Sequence, residues 1–376
     1  MSLSKNNDNS LRLRWLAWRN QWLANPATQR AMMRLPIMRS IVRFRARRMF
    51  DRVTGFTYSM ILLAFVQLDG LRRLSGAPAT VDALAVDWAM APAAAERLLR
   101  AGASIGLVQA LPDGRWTLGE EGAALLGNPG VAEMIEHHRL LYADLADPVG
   151  LLRSGGGGGA LHAYWHYAGE AGQGGQDEVS AYSRLMAATQ PFVAEQVIGS
   201  YRFARHRAML DVGGGEGAFA GAVARAVPGL QLGLFDLPAV GERARVRLAA
   251  AGVADRVTIH GGSFLHDPLP GGYDLVTLVR VLHDHDDAPA MQLLRSIYAA
   301  LPSGGRLLIA EPMAGTRGAE ASGDGYFGLY LWAMGSGRPR RVDEIGAMLT
   351  TCGFNRFKEI ATPLPLNVRI IVATRA

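Results

Sequence analysis

Cysteine is almost missing from this chain: Cys352 is the single one among 376 residues. An intrachain disulfide is therefore impossible, as is any zinc or iron–sulfur site built from several thiolates, and the composition fits a reducing compartment, taken as the cytoplasm. Charged residues are also sparse, at 19% against 49% hydrophobic, which supplies material for sizeable cores and excludes wholesale disorder. No apolar signal-peptide core follows the start. The longest apolar run, residues 56–68, is interrupted by Thr57, Tyr58, Ser59 and Gln67. As a helix it would span roughly 20 Å against a hydrocarbon core of about 30 Å, so no transmembrane helix is expected. Acidic side chains are scarce at the N-terminus: residues 1–52 hold twelve of the 39 Lys and Arg but only Asp8 and Asp51 of the 33 acids, a net of +10. The overall +6 thus belongs to a basic arm attached to a mildly acidic body.

What is present points to two or three domains. In the arm, Leu11, Trp15, Trp18 and Trp22 recur at helical spacing, with Arg12, Arg14 and Arg19 elsewhere around the helix. Such a face suits docking on an anionic membrane surface, and it suits equally packing on the protein's own body or on a second subunit. Residues 53–128 read as short helices followed by a hairpin over 111–118 with an Asp113-Gly114 turn, which suggests a winged helix. Residues 81–120 carry a net of −2 where a major-groove reader would be basic, so a dimerisation and lid domain is expected, and no nucleic-acid partner. The glycine-rich stretch 151–180 reads as a flexible segment, with His162, Tyr164, Trp165, His166 and Tyr167 as packing aromatics. The expected divisions are 1–52, 53–150, 151–180 and 181–376.

From Met209 short apolar runs alternate with helical stretches, the signature of a parallel sheet with crossover helices. Strands are expected over 208–212, 231–235, 257–260, 273–279, 306–310 and 368–374. Ligands in such folds bind beyond the carboxyl ends of the strands. There lies Asp211-Val212-Gly213-Gly214-Gly215-Glu216-Gly217, whose glycines permit a tight turn and close approach of a ligand to the backbone. Asp236, at the end of the next strand, can accept hydrogen bonds from ribose hydroxyls. Gly213, Gly215 and Ala218 also fit the dinucleotide form G-x-G-x-x-A, which raises a nicotinamide oxidoreductase as a rival. Carboxylates at Asp211 and Glu216 would repel a pyrophosphate and suit a cationic sulfonium with its amino group. His283 follows a strand at its carboxyl end and can serve as a general base, with Glu311 after the next strand to hold its other ring nitrogen. The run His283-Asp284-His285-Asp286-Asp287 is rich in metal donors, but Ala288 replaces a final histidine; no metal is expected, and Asp286 and Asp287 are read as helix caps.

The Asp-Val-Gly-Gly-Gly-x-Gly loop, Phe235-Asp236-Leu237-Pro238, Gly261-Gly262-Ser263-Phe264 and Leu282-His283-Asp284, in this order, resemble the S-adenosylmethionine-dependent small-molecule O-methyltransferases. The resemblance runs over roughly residues 50–376. Within the family, the Arg-rich arm, residues 55–59 and the stretches 324–327 and 333–340 are similar to bacterial hydroxyneurosporene (demethylspheroidene) O-methyltransferases of carotenoid synthesis. It implies an α/β class I (Rossmann-like) methyltransferase with a doubly wound sheet, an N-terminal helical winged-helix-like dimerisation domain, a homodimer, S-adenosylmethionine as cofactor and a hydrophobic small-molecule acceptor. By the family pattern Asp211, Gly213, Gly215, Asp236, Leu237, Ser263 and Phe264 hold the cofactor, with Arg280 beside it, and His283 is the base with Glu311. Met186, Thr189, Gln190, Trp332 and Met334 correspond to substrate-pocket positions, together with Phe192, Phe327 and Tyr330, although their spacing is also that of a buried helix face. Two departures stand out: Pro339 occupies the place of a second histidine-orienting glutamate, and Val279 that of a lysine. An enzyme acting on a phenolic or polyketide hydroxyl, and a winged-helix regulator that senses S-adenosylmethionine, are the alternatives.

Overall fold

A computed structural model describes residues 3–169 and 176–376, without the side chains of residues 3–9, 129, 166–184 and 186–187. The chain forms two compact units, Met1–Gly122 and Ala123–Ala376. The boundary expected at 150 therefore falls at 122, and the one expected at 52 lies inside a continuous helix.

The first unit opens with helices Leu3–Ala24, Pro26–Arg34 and Pro36–Gln67. Each break is marked by a proline at the first helical position, where its missing N–H is not needed, and Asn25 caps the second helix by accepting from the Ala27 N–H at 2.8 Å. The apolar run 56–68 is thus the end of a 32-residue helix, and by length and composition that helix could cross a membrane. The earlier expectation undercounted it because the apolar stretch alone is shorter than the helix that contains it. Three short helices, Gly70–Gly76, Val81–Asp87 and Pro92–Ser104, precede a hairpin of β1 (Val108–Ala110) and β2 (Trp116–Leu118). The Asp113-Gly114 turn is as expected: Gly114 has φ 83°, and the Leu111 N–H donates to Arg115 O. Phe65 is the fully buried anchor of this unit, edge-on to Trp88, and Gly102 lies so close that a Cβ there would sit 2.5 Å from the Phe65 ring.

In the second unit, seven strands form one sheet: β3 (Ala208–Val212), β4 (Gln231–Asp236), β5 (Val257–Gly261), β6 (Leu275–Val279), β7 (Arg306–Glu311), β8 (Phe354–Ile360) and β9 (Arg369–Arg375). Their order is β5-β4-β3-β6-β7-β9-β8, parallel except that β9 pairs antiparallel with both β7 and β8. This is the doubly wound class I sheet that the sequence implies. Strands β3, β6 and β7 are buried almost throughout, which is why they read as continuous apolar runs. Apolar cores line both faces, one around Val197, Phe219 and Leu234, the other around Leu278, Leu294 and Leu349. The chain reverses order between β3 and β6, so the ends of β3, β4, β6 and β7 converge on one crevice. β8 escapes the sequence reading because it is an exposed edge strand, Phe354-Asn-Arg-Phe-Lys-Glu-Ile, with charges where a central strand would carry aliphatics. The glycine-rich stretch holds helices Pro148–Arg153 and Ala160–Gly169 and the start of Gln176–Ser200, while residues 170–175 lie outside the described residues.

Truncating Phe65 removes the ring around which the first unit packs. Phe65→Ala is expected to destabilise by about 3–5 kcal/mol, read as a lowered midpoint in urea unfolding. A change below about 1 kcal/mol would show that residues 65–122 do not share a single packed core.

Candidate active site

The loop after β3 is built from left-handed glycines: Gly213, Gly215 and Gly217 have φ of 68°, 57° and 77°. A Cβ on Gly213 would meet Val281 at 2.9 Å, whereas one on Gly215 would meet nothing within 4 Å, so its free side faces open space. Asp236 fixes this loop to the end of β4, since its Oδ2 accepts from the Gly215 N–H and its Oδ1 from the Leu237 N–H, both at 2.7 Å. Each oxygen keeps a lone pair for a further donor. Asp211 lies beneath the glycines, with Oδ1 accepting from the Thr277 hydroxyl at 2.7 Å and Oδ2 buried without a partner. Burial, with the Asp236 charge adding to it, raises Asp211 to about 7. Glu216 does not leave a free negative charge as expected: Arg243 and Arg247 approach it at 3.2 and 3.6 Å.

β6 ends at Val279, and Arg280, a non-glycine residue at φ 59°, starts the turn that carries His283. His283 is 3% exposed, with its ring against Phe327. Its Nε2 lies 3.3 Å from Asp284 Oδ1, and its Nδ1 is buried without a partner. Glu311 does not hold the imidazole: its Oε2 accepts from the backbone N–H of His283 at 3.1 Å, and its Oε1 is unpartnered. The expected carboxylate–imidazole bond is thus replaced by a carboxyl–backbone bond, because the turn after β6 presents its N–H to the end of β7. Burial, reinforced by the charges of Arg280 and Arg340, lowers His283 to about 3, so the ring is neutral. Burial likewise raises Glu311 to about 8, which leaves it protonated at neutral pH.

A cavity of about 570 Å³ opens between these two loops. Gly213, Gly214, Gly215, Arg280, His283 and Asp284 line one side. The other is aromatic, formed by Trp165, Tyr326, Phe327 and Tyr330 with Met134 and His138. Its polar atoms are bonded among themselves: His138 Nε2 and Tyr326 Oη are 2.7 Å apart, as are His137 Nε2 and Tyr330 Oη, and Trp165 Nε1 donates to Tyr330 Oη at 3.3 Å. Burial lowers both histidines and raises both phenols, so this wall carries no charge. Tyr326 and Phe327 belong to a π-helical turn, Ala321–Phe327, a distortion that often marks a ligand site.

Of the expected cofactor residues, Gly213, Gly215 and Arg280 line the cavity, Asp211, Asp236 and Leu237 support the glycine loop, and Ser263 and Phe264 do not reach the cavity. Ser263 donates its N–H to Asp267, and Phe264 packs edge-on to His285. Among the expected acceptor residues, Gln190 lines the cavity and Thr189 accepts from Arg280 Nη1 at 3.0 Å. Trp332 and Met334 do not line it: Met334 packs in a small core with Leu141 and Leu161, and Trp332 donates to Leu151 O. They lie on helix Gly328–Met334, which turns Tyr330 and Leu331 toward the cavity instead. The side chain of Met186 lies outside the described residues. Sequence reasoning did not place Met134, His138 or Tyr326 in the pocket, although Tyr326 lies in the stretch 324–327 that carries the resemblance, and it took Trp165 for packing only; no local motif marks Met134 or His138, which packing brings to the cavity.

A glycine cradle open on one side, a ribose-type carboxylate behind it and a neutral imidazole facing an apolar wall define a group-transfer site for a nucleoside-bearing cofactor. The family model for the O-methyltransferase domain matches residues 142–355, and the chain belongs to the S-adenosylmethionine-dependent O-methyltransferases. The nicotinamide and regulator readings accordingly fall away. Demethylspheroidene O-methyltransferase of Cereibacter sphaeroides is 43% identical over 343 residues, covering 91% of this chain and 90% of that protein. Its counterpart in Rhodobacter capsulatus is 40% identical over 91% of this chain and 85% of that one. Among solved structures, that of the mitomycin 7-O-methyltransferase MmcR covers 90% of this chain and all of its own, with a TM-score of 0.74 and 26% identity.

The Glu311 geometry separates a role for its charge from a role as acceptor. With its folded value raised from 4.5 to about 8, the folded state holds a proton that the unfolded state has released, so stability falls as pH rises across that window. Glu311→Gln is expected to flatten part of this fall and to retain turnover within about threefold, because an amide oxygen can still accept from the His283 N–H. Glu311→Ala leaves that N–H unsatisfied and should cost about 1–3 kcal/mol. Loss of turnover in the Gln variant equal to that in the Ala variant would show that the charge itself is needed.

Proposed function

We propose that the chain transfers a methyl group from S-adenosylmethionine to the tertiary hydroxyl of a hydroxylated acyclic carotenoid of the 1-hydroxyneurosporene or demethylspheroidene type. The observation that carries this reading is the aromatic wall, whose phenols and indole are already bonded to one another and to His137 and His138. An acceptor with several polar groups finds few free partners on that wall, whereas an unsaturated hydrocarbon with one terminal hydroxyl matches it. The two demethylspheroidene O-methyltransferases at 40–43% identity support the same acceptor.

The cofactor, when bound, supplies an electrophilic methyl on a sulfonium. Gly213 and Gly215 give its nucleoside end close access to the backbone, and Asp236 offers lone pairs to its ribose. His283 and Asp284 meet the acceptor hydroxyl, and much of the rate arises from holding that oxygen in line for attack. A tertiary alcohol is too weak an acid to be deprotonated first. As the C–O bond forms and the methyl–sulfur bond breaks, leaving a neutral thioether, the acceptor oxygen would become a strong acid, so even an imidazole lowered to about 3 can take its proton.

His283→Ala is accordingly expected to lower kcat by about 10²–10⁴-fold with cofactor affinity intact, measured with methyl-labelled cofactor and mass spectrometry of the products. Near-wild-type turnover in that variant would sink the base assignment. Label on catechols and hydroxyquinones but on no carotenoid would discard the acceptor while keeping the site. The pH profile of kcat should show no limb from the imidazole, which is neutral above about 3, while a limb near 7 would belong to Asp284, which burial raises to about 7.

The same reading places the enzyme as a homodimer at the cytoplasmic face of a membrane, where such an acceptor dissolves. Trp15, Trp18 and Trp22 are 55%, 59% and 39% exposed on helix Leu3–Ala24, and Ile37, Phe44, Phe50 and Phe56 are exposed along helix Pro36–Gln67 among arginines. Replacing the three tryptophans with alanine should cut activity on carotenoid held in anionic vesicles at least about fivefold more than on detergent-dispersed carotenoid. Equal losses in both assays would refute membrane docking.

A further inference from the structure

Residues 336–340 run alongside the turn that carries His283 and bond to it repeatedly. Ser336 Oγ donates to Asp284 O, the Gly337 N–H to Asp286 Oδ1, and the Arg338 N–H to His283 O, each at 2.9 Å. Asp286 thus takes the N-cap position as expected but spends its side chain on Gly337 rather than on the helix, and Asp287 is taken up by Arg338 and Arg340. Gly337, at φ 78°, comes so close that a Cβ on it would lie 2.1 Å from His283 O. Arg340 completes the contact. Its side chain is fully buried; Nη1 donates to Leu282 O at 2.8 Å, Nη2 to His285 O at 2.7 Å, and Nε and Nη2 to Asp287 Oδ1 at 3.1 and 2.8 Å. The two carbonyls that it holds flank His283 and Asp284. A planar guanidinium can span both at once, which a lysine ammonium cannot.

Neither Glu311, whose carboxyl is on the backbone, nor Pro339 brings an acceptor to the imidazole from another element, and the carboxylate that does approach Nε2, Asp284 at 3.3 Å, sits on the same turn. The ring must then be placed through its main chain. We propose that Arg340 is the positioning residue for His283, fixing the turn 282–287, with the imidazole and Asp284 on it, by its two carbonyl bonds, in place of a carboxylate brought to the ring from another element. This rests on the reading of His283 as the base.

The experiment compares Arg340→Lys in the wild-type and His283→Ala backgrounds, with S-adenosylmethionine affinity and thermal midpoint measured for each. The expected result is a kcat lowered at least about tenfold with acceptor KM and cofactor affinity within about threefold, and no further loss once His283 is alanine. An equal loss in both backgrounds, or a loss carried by cofactor affinity, would overturn the proposal. Should Arg340→Lys fail to fold, Asp287→Asn relaxes the guanidinium's anchor while keeping both carbonyl bonds, and it should give a smaller loss that likewise vanishes without His283; unchanged kcat would count against the clamp. A second readout does not depend on the base assignment. In ¹⁵N-histidine spectra, the His283 ring signals should be sharp in the wild type and broadened or doubled in Arg340→Lys. Unchanged signals would refute the clamp, whereas full turnover in His283→Ala would refute only the base reading.

Discussion

Removing ionisable groups from water at the ends of β3, β6 and β7 is the constraint from which the site follows. Asp211, His283 and Glu311 are almost fully buried, and each is pushed toward its neutral form. A neutral floor has two effects. It spares the sheet the cost of isolated buried charge, and it leaves the few charges that survive, notably on Arg280, with a long reach in a medium of low polarizability. Electrostatics here is thus set by how little charge remains.

With the side chains largely neutral, the backbone carries much of the positioning. Asp236 spends both oxygens on main-chain N–H groups, Glu311 spends one on another, and Arg340 grips two main-chain carbonyls. The glycine loop and the histidine turn are consequently rigid parts placed on either side of the cavity, and the groups that meet ligands are those left over once the loops are fixed. The aromatic wall meets the histidine turn through Phe327, whose ring packs on the imidazole, while its phenols are bonded to His137 and His138 and not to either loop.

The parallel sheet was legible because strands buried on both faces must be aliphatic, and the glycine loop was legible because three left-handed residues in one turn demand glycine. His283 could be found from its place after β6. What could not be read was contact across long separations: His138 with Tyr326, Glu311 with the His283 backbone, and Arg340 with Leu282 and His285 depend on packing between elements, and no local spacing encodes them. Trp332 and Met334 show the converse failure, since a seven-residue helix must turn part of itself away from the cavity, and one-dimensional spacing does not say which part. The edge strand β8 was missed because its polar sequence serves to protect the sheet's margin rather than to fill a core.

The aromatic wall also bears on how a reaction cycle ends. Its phenols and imidazoles point their hydrogen-bonding capacity at each other, so on the proposed reading it would grip a hydrocarbon body by shape and polarizability, and methylation elsewhere on the molecule would not alter that grip. On the proposed reading, alcohol and ether would be distinguished at His283 and Asp284, where the ether has lost its donor. Release would then follow from the loss of one hydrogen bond, and the finished ether would be a close competitor for the next molecule of alcohol. Flux through such an enzyme depends on the surrounding phase drawing its product away.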